Sequence, residues 1–401
     1  MRVSTQQFYF QNSQQLSSKQ SMLNDQMKYI SSGKRVLTAK DDPVTFGTLS
    51  GYKDELTNID KYQRNITQAK NRNSLQETSF ANAENLMQEL KTLFINANNG
   101  TLADSDLKSL AELATNSLNQ MLDIANSKDE TGGYIFSGYQ IDQKPFALHP
   151  GNSVTYLGDN GTRELQIAKN VMVEINQPGD EAFENVANSI GDFTANYINN
   201  TSGIALNRAV ISSPGSYDPA TNPPDYKFLF TSATDLTVTD GNGVVVYNTA
   251  AYSAGQTIAF NGIEVELSGN PLPGDEFDMT PTEEISIFDT IKAAIDWMNV
   301  GASPADPVQH NVDYGDVLTQ LNQALNHITS RRTEAGVRLK LIETQDDSHA
   351  EAALSLASGR SNIEDLDFAK AISTFEQSQV ALQAAQQTFI QIKGLSLFNY
   401  I

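Results

Sequence analysis

The residue types that most often carry catalysis or bind metals are few and scattered in this sequence. No two of the four histidines have the spacing of an HExxH zinc helix: His149, His310, His327 and His349. Cysteine is absent, which excludes disulfides and thiolate ligands. The densest group of potential ligands is Asp346, Asp347, His349 and Glu351. On a helix these side chains point in different directions, so we interpret them as a solvated polar face.

Two adjacent carboxylates, Asp41 and Asp42, are the next candidates for chemistry. They stand directly before Pro43, and this order is typical of a helix start, with an Asp as N-cap and proline in the first turn. They could also pair with Lys34 or Arg35. Capping is the better explanation for the two carboxylates.

Other catalytic motifs are missing. Ser137 lies in FSGY rather than in GxSxG, and no phosphate-binding glycine motif occurs. The DGNG sequence at 240–243 reads as a turn, because the glutamate of a calcium loop does not follow it. We therefore predict no enzyme activity, no catalytic or metal site and no cofactor.

Charge and length narrow the class of protein further. The chain has 401 residues, which is enough for two or three domains, and its net charge is −21. Residues 73–330 hold 9 basic and 33 acidic residues, which argues against a nucleic-acid partner. No run of eighteen apolar residues predicts membrane insertion, and the first thirty residues lack the apolar core of a cleavable signal.

The C-terminal segment has the clearest pattern in the chain. Residues 362–393 contain no glycine or proline, and large apolar residues recur there at helical spacing: Phe368, Ile372, Phe375, Leu382, Phe389 and Ile392. The start of the chain repeats the pattern with Leu16, Leu23, Met27 and Ile30. A narrow apolar stripe on a helix is buried only when it packs against a second helix. We therefore predict that the two ends of the chain pair as a coiled coil, and we call the apolar residues of the two stripes the assembly seam.

Between these ends, proline separates helical from β segments. Pro43 apart, all prolines lie between Pro145 and Pro307. In the first part of the chain we predict helices over 1–31, from an Asp41 or Asp42 cap to about 97, and from an Asp104 or Ser105 cap to about 128. In the last part we predict helices over 285–299 and from about 312 towards 356. A break at Gly359 should precede the terminal helix. Strands are expected at 154–157, 163–167 and 171–175, with a DNG turn at 159–161 between the first two, followed by an amphipathic piece over 183–197. From 203 to 282 we expect only strands, with hairpins turning at 240–243 and 261–262.

The predicted fold class is α+β and multidomain. We expect a terminal α-helical coiled-coil domain (1–45 with 358–401), a long antiparallel helical rod with a small β part (46–180 with 284–357), and an inserted β domain (181–283). In a monomer nothing further would bury the apolar stripes of the terminal helices. We therefore expect the two ends of the chain to become ordered when subunits associate.

Several segments resemble the flagellin superfamily. They are SSGKRV and KDDPV at 31–44, NRNSLQ at 71–76, GGYIFSGY at 132–139, and IEDLDFAKAISTFEQSQVALQAAQQTF at 363–389. The opening MRVST and the closing SLFNYI resemble its hook–filament junction branch, the FlgL type or hook-associated protein 3 family. The motif residues are Ser32, Gly33, Lys34, Arg35, Asp41, Asp42 and Pro43. Flagellins usually carry DDAAG where this chain continues with Pro43 and Val44.

This resemblance implies a secreted structural subunit of the bacterial flagellum. It implies type III export, a ring of identical subunits, a hook-associated protein on the hook side, flagellin on the filament side, and an export chaperone at the C-terminal helix. Two other functions remain open. One is a flagellin filament subunit. The other is a surface adhesin, although the aromatic residues of 203–282 are explained as strand core.

Overall fold

Long helices dominate the two ends of the chain. The computed structural model describes residues 2–398, and the side chains of residues 6–391. In this part of the chain the α-helices are α1 (Arg2–Ser32), α2 (Pro43–Ala97), α3 (Asp104–Ala125), α4 (Ile287–Val300), α5 (Pro307–Glu364) and α6 (Phe368–Phe398). The predicted order of helices, strands and helices is confirmed.

Several helix boundaries differ from the prediction, among them the start of α5, which is Pro307 rather than about 312. The N-cap of α3 is Ala103, not Asp104 or Ser105, and the Asp106 carboxylate accepts a hydrogen bond of 3.1 Å from the Ala103 N–H. The predicted break at Gly359 is wrong, because α5 continues to Glu364. A Cβ at Gly359 would stand 3.1 Å from the Tyr52 ring, so the glycine makes room for an aromatic side chain inside a continuous helix.

The strands follow the helix α3. They are β1 (Phe146–Leu148), β2 (Val154–Tyr156), β3 (Glu164–Ala168), β4 (Val171–Glu174), β5 (Val186–Ala187), β6 (Phe193–Asn199), β7 (Ala205–Ile211), β8 (Tyr226–Phe230), β9 (Leu236–Thr239), β10 (Val245–Thr249), β11 (Thr257–Phe260), β12 (Ile263–Ser268), β13 (Glu276–Pro281) and β14 (Glu284–Ile285). All pairs of these strands are antiparallel.

The two hairpins predicted in the β insert are confirmed. β9 pairs with β10 across the DGNG turn, and β11 pairs with β12 across Asn261 and Gly262. Both central residues of the second turn have positive φ, as a tight hairpin turn requires. β10, β9, β8, β13 and β6 form one sheet in that order, and β11, β12 and β7 form another.

Two predictions in the preceding segment are wrong. β2 pairs with β1, and β3 pairs with β4, so the DNG sequence at 159–161 does not join two paired strands. Its aspartate instead accepts hydrogen bonds from the N–H groups of Tyr139 and Gly161, both at 2.8 Å. The amphipathic piece predicted over 183–197 divides into a π-helical turn (Asp180–Glu184) and the strands β5 and β6. β6 is a strand because it pairs with β13 along its length, and a short apolar run does not reveal such a partner.

Two large apolar cores hold these elements. One is built from α2, α3, α4 and α5 with the rings of Phe136, Phe146 and Phe183. The other lies within the β insert, where Phe228 and Phe277 stack with their ring centres 4.6 Å apart. The aromatic residues expected in this core are buried or packed against it: Tyr217, Tyr226, Phe228, Phe230, Tyr247, Tyr252 and Phe260.

The chain forms two compact units. One contains residues 1–64 and 344–401, and the other contains residues 65–343. The three-part division proposed from the sequence, with limits at 45/46, 180/181, 283/284 and 357/358, stays a prediction.

Candidate assembly site

The chemical candidates of the sequence do not come together in the structure. Within residues 6–391, no three acidic or histidine side chains are grouped so as to hold a metal ion. The interpretation of His349 as part of a solvated face is wrong. His349 is buried and stacks on the Tyr62 ring, with centres 5.4 Å apart and planes 14° apart. The side chain faces α2, and this is a tertiary contact that helical spacing alone does not show.

The first part of the candidate assembly site is the contact between α1 and α6. These helices pack on each other, and the Tyr9 ring meets the Phe389 ring edge-on at 6.0 Å. On α6 the half-buried positions recur at steps of four and three: Ala371, Phe375, Ser378, Leu382, Ala385 and Phe389. On α1 they are Tyr9, Asn12, Leu16, Leu23, Gln26, Tyr29 and Ile30. This is the a/d spacing of a coiled-coil seam.

The predicted seam residues are divided between this contact and the surface. Leu16, Leu23 and Ile30 on α1, and Phe375, Leu382 and Phe389 on α6, are half-buried in the contact. Met27, Phe368 and Ile372 are exposed by 56%, 50% and 45%. The Ile392 side chain lies outside the described residues. The assembly role of these residues stays a prediction.

The second part is formed by the two turns beside this contact. We call the contacts between the α1–α2 and α5–α6 turns the clasp. The Arg35 N–H donates a hydrogen bond of 2.7 Å to the Glu364 carbonyl, and the Leu366 N–H donates one of 2.9 Å to the Gly33 carbonyl. The Arg35 guanidinium also donates to the Ile363 carbonyl at 2.9 Å. Gly33 has a φ of +68°, a conformation that glycine adopts at little cost.

Side-chain charges reinforce the clasp. The Glu364 side chain is only 5% exposed, and its carboxylate lies 2.6 Å from the Lys34 amine and 3.0 Å from the Lys53 amine. The Arg360 guanidinium approaches the same carboxylate at 3.6 Å. Burial alone would raise the pKa of Glu364, but the hydrogen bonds from Lys34 and Lys53 outweigh it and hold the pKa below its usual value. The carboxylate is therefore charged and paired at neutral pH.

The paired carboxylates of the motif act on the backbone nearby. Asp42 accepts a hydrogen bond of 3.1 Å from the Thr45 N–H at the start of α2, which confirms the capping interpretation. Asp41 accepts from the Tyr29 hydroxyl at 2.8 Å and from the Thr38 N–H at 2.9 Å. The Tyr29 hydrogen bond is the main cause that lowers the pKa of Asp41. Lys34 pairs with Glu364 rather than with either aspartate.

Sequence reasoning missed some members of both parts. Ala371, Ser378 and Ala385 are small or polar, but the four-and-three spacing around Phe375 and Leu382 would have found them. Glu364 gave no such signal, because its partners come from the other end of the chain.

This chain resembles known flagellar proteins. The family described as the bacterial flagellin N-terminal helical region matches residues 3–141, and the bacterial flagellin C-terminal helical region matches residues 318–401. The flagellar hook-associated protein 3 of Escherichia coli is 25% identical over 402 residues, which cover 100% of this chain and 99% of the relative. The two flagellin regions together match more than half of the chain, which therefore belongs to the flagellin family.

A solved structure has the same fold. The flagellar hook-associated protein 3 (HAP-3) of Legionella pneumophila superimposes with a TM-score of 0.66 at 28% identity, covering 78% of this chain and 98% of that one. A flagellin of Salmonella oranienberg matches less completely, at 23% identity over 66% of this chain and 52% of the flagellin. The similarity to hook-associated protein 3 is therefore more complete than the similarity to this flagellin.

Membership of the flagellin family gives the coarse function, a structural protein of the bacterial flagellum. A solved relative from Legionella pneumophila is described as the flagellar junction protein FlgL. Within residues 2–398, no helix combines the length and apolarity needed to cross a membrane.

Proposed function

We propose that this chain forms a ring of identical subunits between a hook-associated protein on the hook side and the flagellin filament. The subunit acts as a structural adaptor and catalyses no reaction. Full-length similarity to hook-associated protein 3 supports this proposal, since that similarity extends through both terminal regions as well as the β insert.

The observation that carries the proposal is the surface of α1 and α6. The two helices bury one stripe against each other and leave large apolar side chains exposed elsewhere: Phe8, Phe10, Met22, Met27, Phe368, Ile372, Val380 and Ile390. Exposed apolar surface of this kind is typical of an interface. Residues 368–401 also contain only three charged residues, Lys370, Glu376 and Lys393. Identical helices with so little charge can pack side by side without repulsion.

The composition of the chain also bears on its export and on its partners. We propose that the subunit leaves the cell unfolded through the type III export channel, and that a chaperone covers α6 before export. The absence of cysteine supports this route, since no disulfide has to form or break. We propose no nucleic-acid partner, because residues 73–330 are strongly acidic.

Deletion of the gene tests the proposal. We expect cells with hooks but without filaments, seen by electron microscopy, and flagellin monomer in the medium. Return of the gene on a plasmid should restore the filaments. Filaments that still grow on the deleted strain would contradict the junction role. Long filaments formed by the purified subunit alone would favour flagellin instead.

A further inference from the structure

Four Asn–Gly sequences occur in the chain, and their surroundings differ. They are Asn99–Gly100, Asn160–Gly161, Asn242–Gly243 and Asn261–Gly262. In such a pair the backbone nitrogen of the glycine can attack the side-chain amide of the asparagine, because the glycine has no side chain to shield that nitrogen. The attack needs a glycine N–H that is free to lose its proton and an asparagine side chain that is free to approach it.

In two of these pairs the glycine N–H is already engaged. The Gly161 N–H donates a hydrogen bond of 2.8 Å to the Asp159 carboxylate, and a Cβ at Gly161 would overlap the Tyr139 ring. The Gly243 N–H donates a hydrogen bond of 2.8 Å to the Asp240 carbonyl. A nitrogen whose proton is held in this way must first release its hydrogen bond, so both pairs are protected by the fold.

In a third pair the asparagine side chain is fixed. The Asn261 amide N–H donates a hydrogen bond of 2.8 Å to the Tyr226 hydroxyl, and its side-chain oxygen accepts one of 3.3 Å from the Asp218 N–H. Gly262 is also crowded, since a Cβ there would lie 2.5 Å from the Ser213 carbonyl oxygen. The side chain of Asn261 is therefore held away from the glycine nitrogen.

The Asn99–Gly100 pair is the exception. Both residues are exposed in the turn between α2 and α3, and no group of the described residues accepts a hydrogen bond from the Gly100 N–H. The Asn99 side-chain oxygen accepts hydrogen bonds of 2.9 Å from the Thr101 hydroxyl and 3.2 Å from the Thr101 N–H. These bonds withdraw electrons from the side-chain carbonyl, and they stabilise the negative charge that an attack places on its oxygen.

We propose that Asn99 is a site of spontaneous deamidation. The Gly100 nitrogen bonds to the side-chain carbonyl carbon of Asn99, the bond from that carbon to the side-chain nitrogen breaks, and ammonia leaves with the proton of the Gly100 amide. Water then opens the cyclic imide that results. Opening at the side-chain carbonyl gives an aspartate, and opening at the main-chain carbonyl gives an isoaspartate, in which the main chain runs through the former side chain.

Both products change the turn that joins α2 to α3. They add a negative charge beside Asp104 and Asp106 in the first turn of α3. Asp104 accepts a hydrogen bond of 2.7 Å from the Ala302 N–H, so this turn also contacts the loop between α4 and α5. Isoaspartate in addition lengthens the main chain at the turn. Because water is the only co-reactant, conversion accumulates with the age of each subunit.

Peptide mapping by mass spectrometry tests the proposal on the purified full-length chain, kept at mildly alkaline pH. In the folded chain we expect Asn99 to convert about tenfold faster than the asparagines of the other three pairs, because breaking a hydrogen bond before the attack slows it by about that factor. In the same chain unfolded in urea, the four asparagines should convert at similar rates, since the fold no longer protects any of them.

Gly100→Ala is the matched variant. Its φ is not in the left-handed region, and apart from neighbours in the chain no described atom lies within 4 Å of the new Cβ, so the fold is kept. The added methyl group shields the nitrogen, and conversion of Asn99 should fall to the level of the three protected pairs. Unchanged conversion of Asn99 in this variant would overturn the proposal. So would another Asn–Gly pair that converts as fast as Asn99 in the folded chain.

Discussion

Lys53 donates a hydrogen bond of 3.0 Å to the carboxylate of Glu364, although the two residues are 311 positions apart in the sequence. Lys34 reaches the same carboxylate from the α1–α2 turn. A single buried carboxylate thus joins the turn after α1 to the turn before α6. The clasp is therefore in a position to fix how these two helices leave their turns.

Replacement of Glu364 by Gln should weaken the clasp. We expect a loss of about 1–2 kcal/mol, because the lysines keep much of their hydration while the buried side chain loses two charged partners. In the wild-type monomer we expect limited proteolysis to cut first within 1–45 and 360–401, because these ends order only on association. In the variant these cuts should come sooner. Glu351→Gln, an exposed site on the same helix, is the control. Equal cutting rates in the two variants would refute the role of Glu364.

Acid should open the clasp in the wild type. The pKa of Glu364 is lowered from 4.5, so its stabilising contribution is present above about pH 4.5 and is lost as the pH falls through the lowered value. We expect pepsin to release the terminal segments faster as the pH is lowered below 4.5. Glu364→Gln should show a smaller change over the same range. An identical pH profile in both proteins would assign the acid sensitivity to other carboxylates.

A charge in the seam should prevent assembly. Leu382 is half-buried against α1, and Leu382→Asp would place a carboxylate in that contact. We expect loss of filament attachment and of swimming, while thermal unfolding of the cores in residues 65–343 is unchanged. Gln383→Asp adds the same charge one residue away, at an exposed position, and should be tolerated better. Normal swimming with Leu382→Asp would remove the seam from the mechanism.

The stability of the β insert should depend on one pair of aromatic side chains. Phe228 and Phe277 are fully buried and stack at 4.6 Å. Phe277→Ala should destabilise the insert by about 3–5 kcal/mol, because it removes a ring and leaves a cavity. Chemical denaturation with hydrogen exchange of 203–282 would measure this loss. Ile198→Ala changes a side chain that is 54% exposed and should cost much less. Similar losses in the two variants would show that the pair is not central.

Local sequence patterns determined much of the fold. Pro43 after Asp42 marked the start of α2, and a strand pattern on each side of DGNG marked the β9–β10 hairpin. The apolar period also revealed the two terminal helices and the face of α6 around Leu382. These features depend on contacts between residues a few positions apart, so they are written in short stretches of sequence.

Only the tertiary structure decided which distant groups meet. It left Phe368 and Ile372 about half exposed, because the α6 seam follows Ala371 and Phe375 instead. It buried His349 against Tyr62, and it brought Glu364 to Lys34 and Lys53. Helical spacing gives the relative directions of neighbouring side chains but not the partner that each face will meet. That choice depends on packing and charge between segments hundreds of residues apart, which no local pattern records.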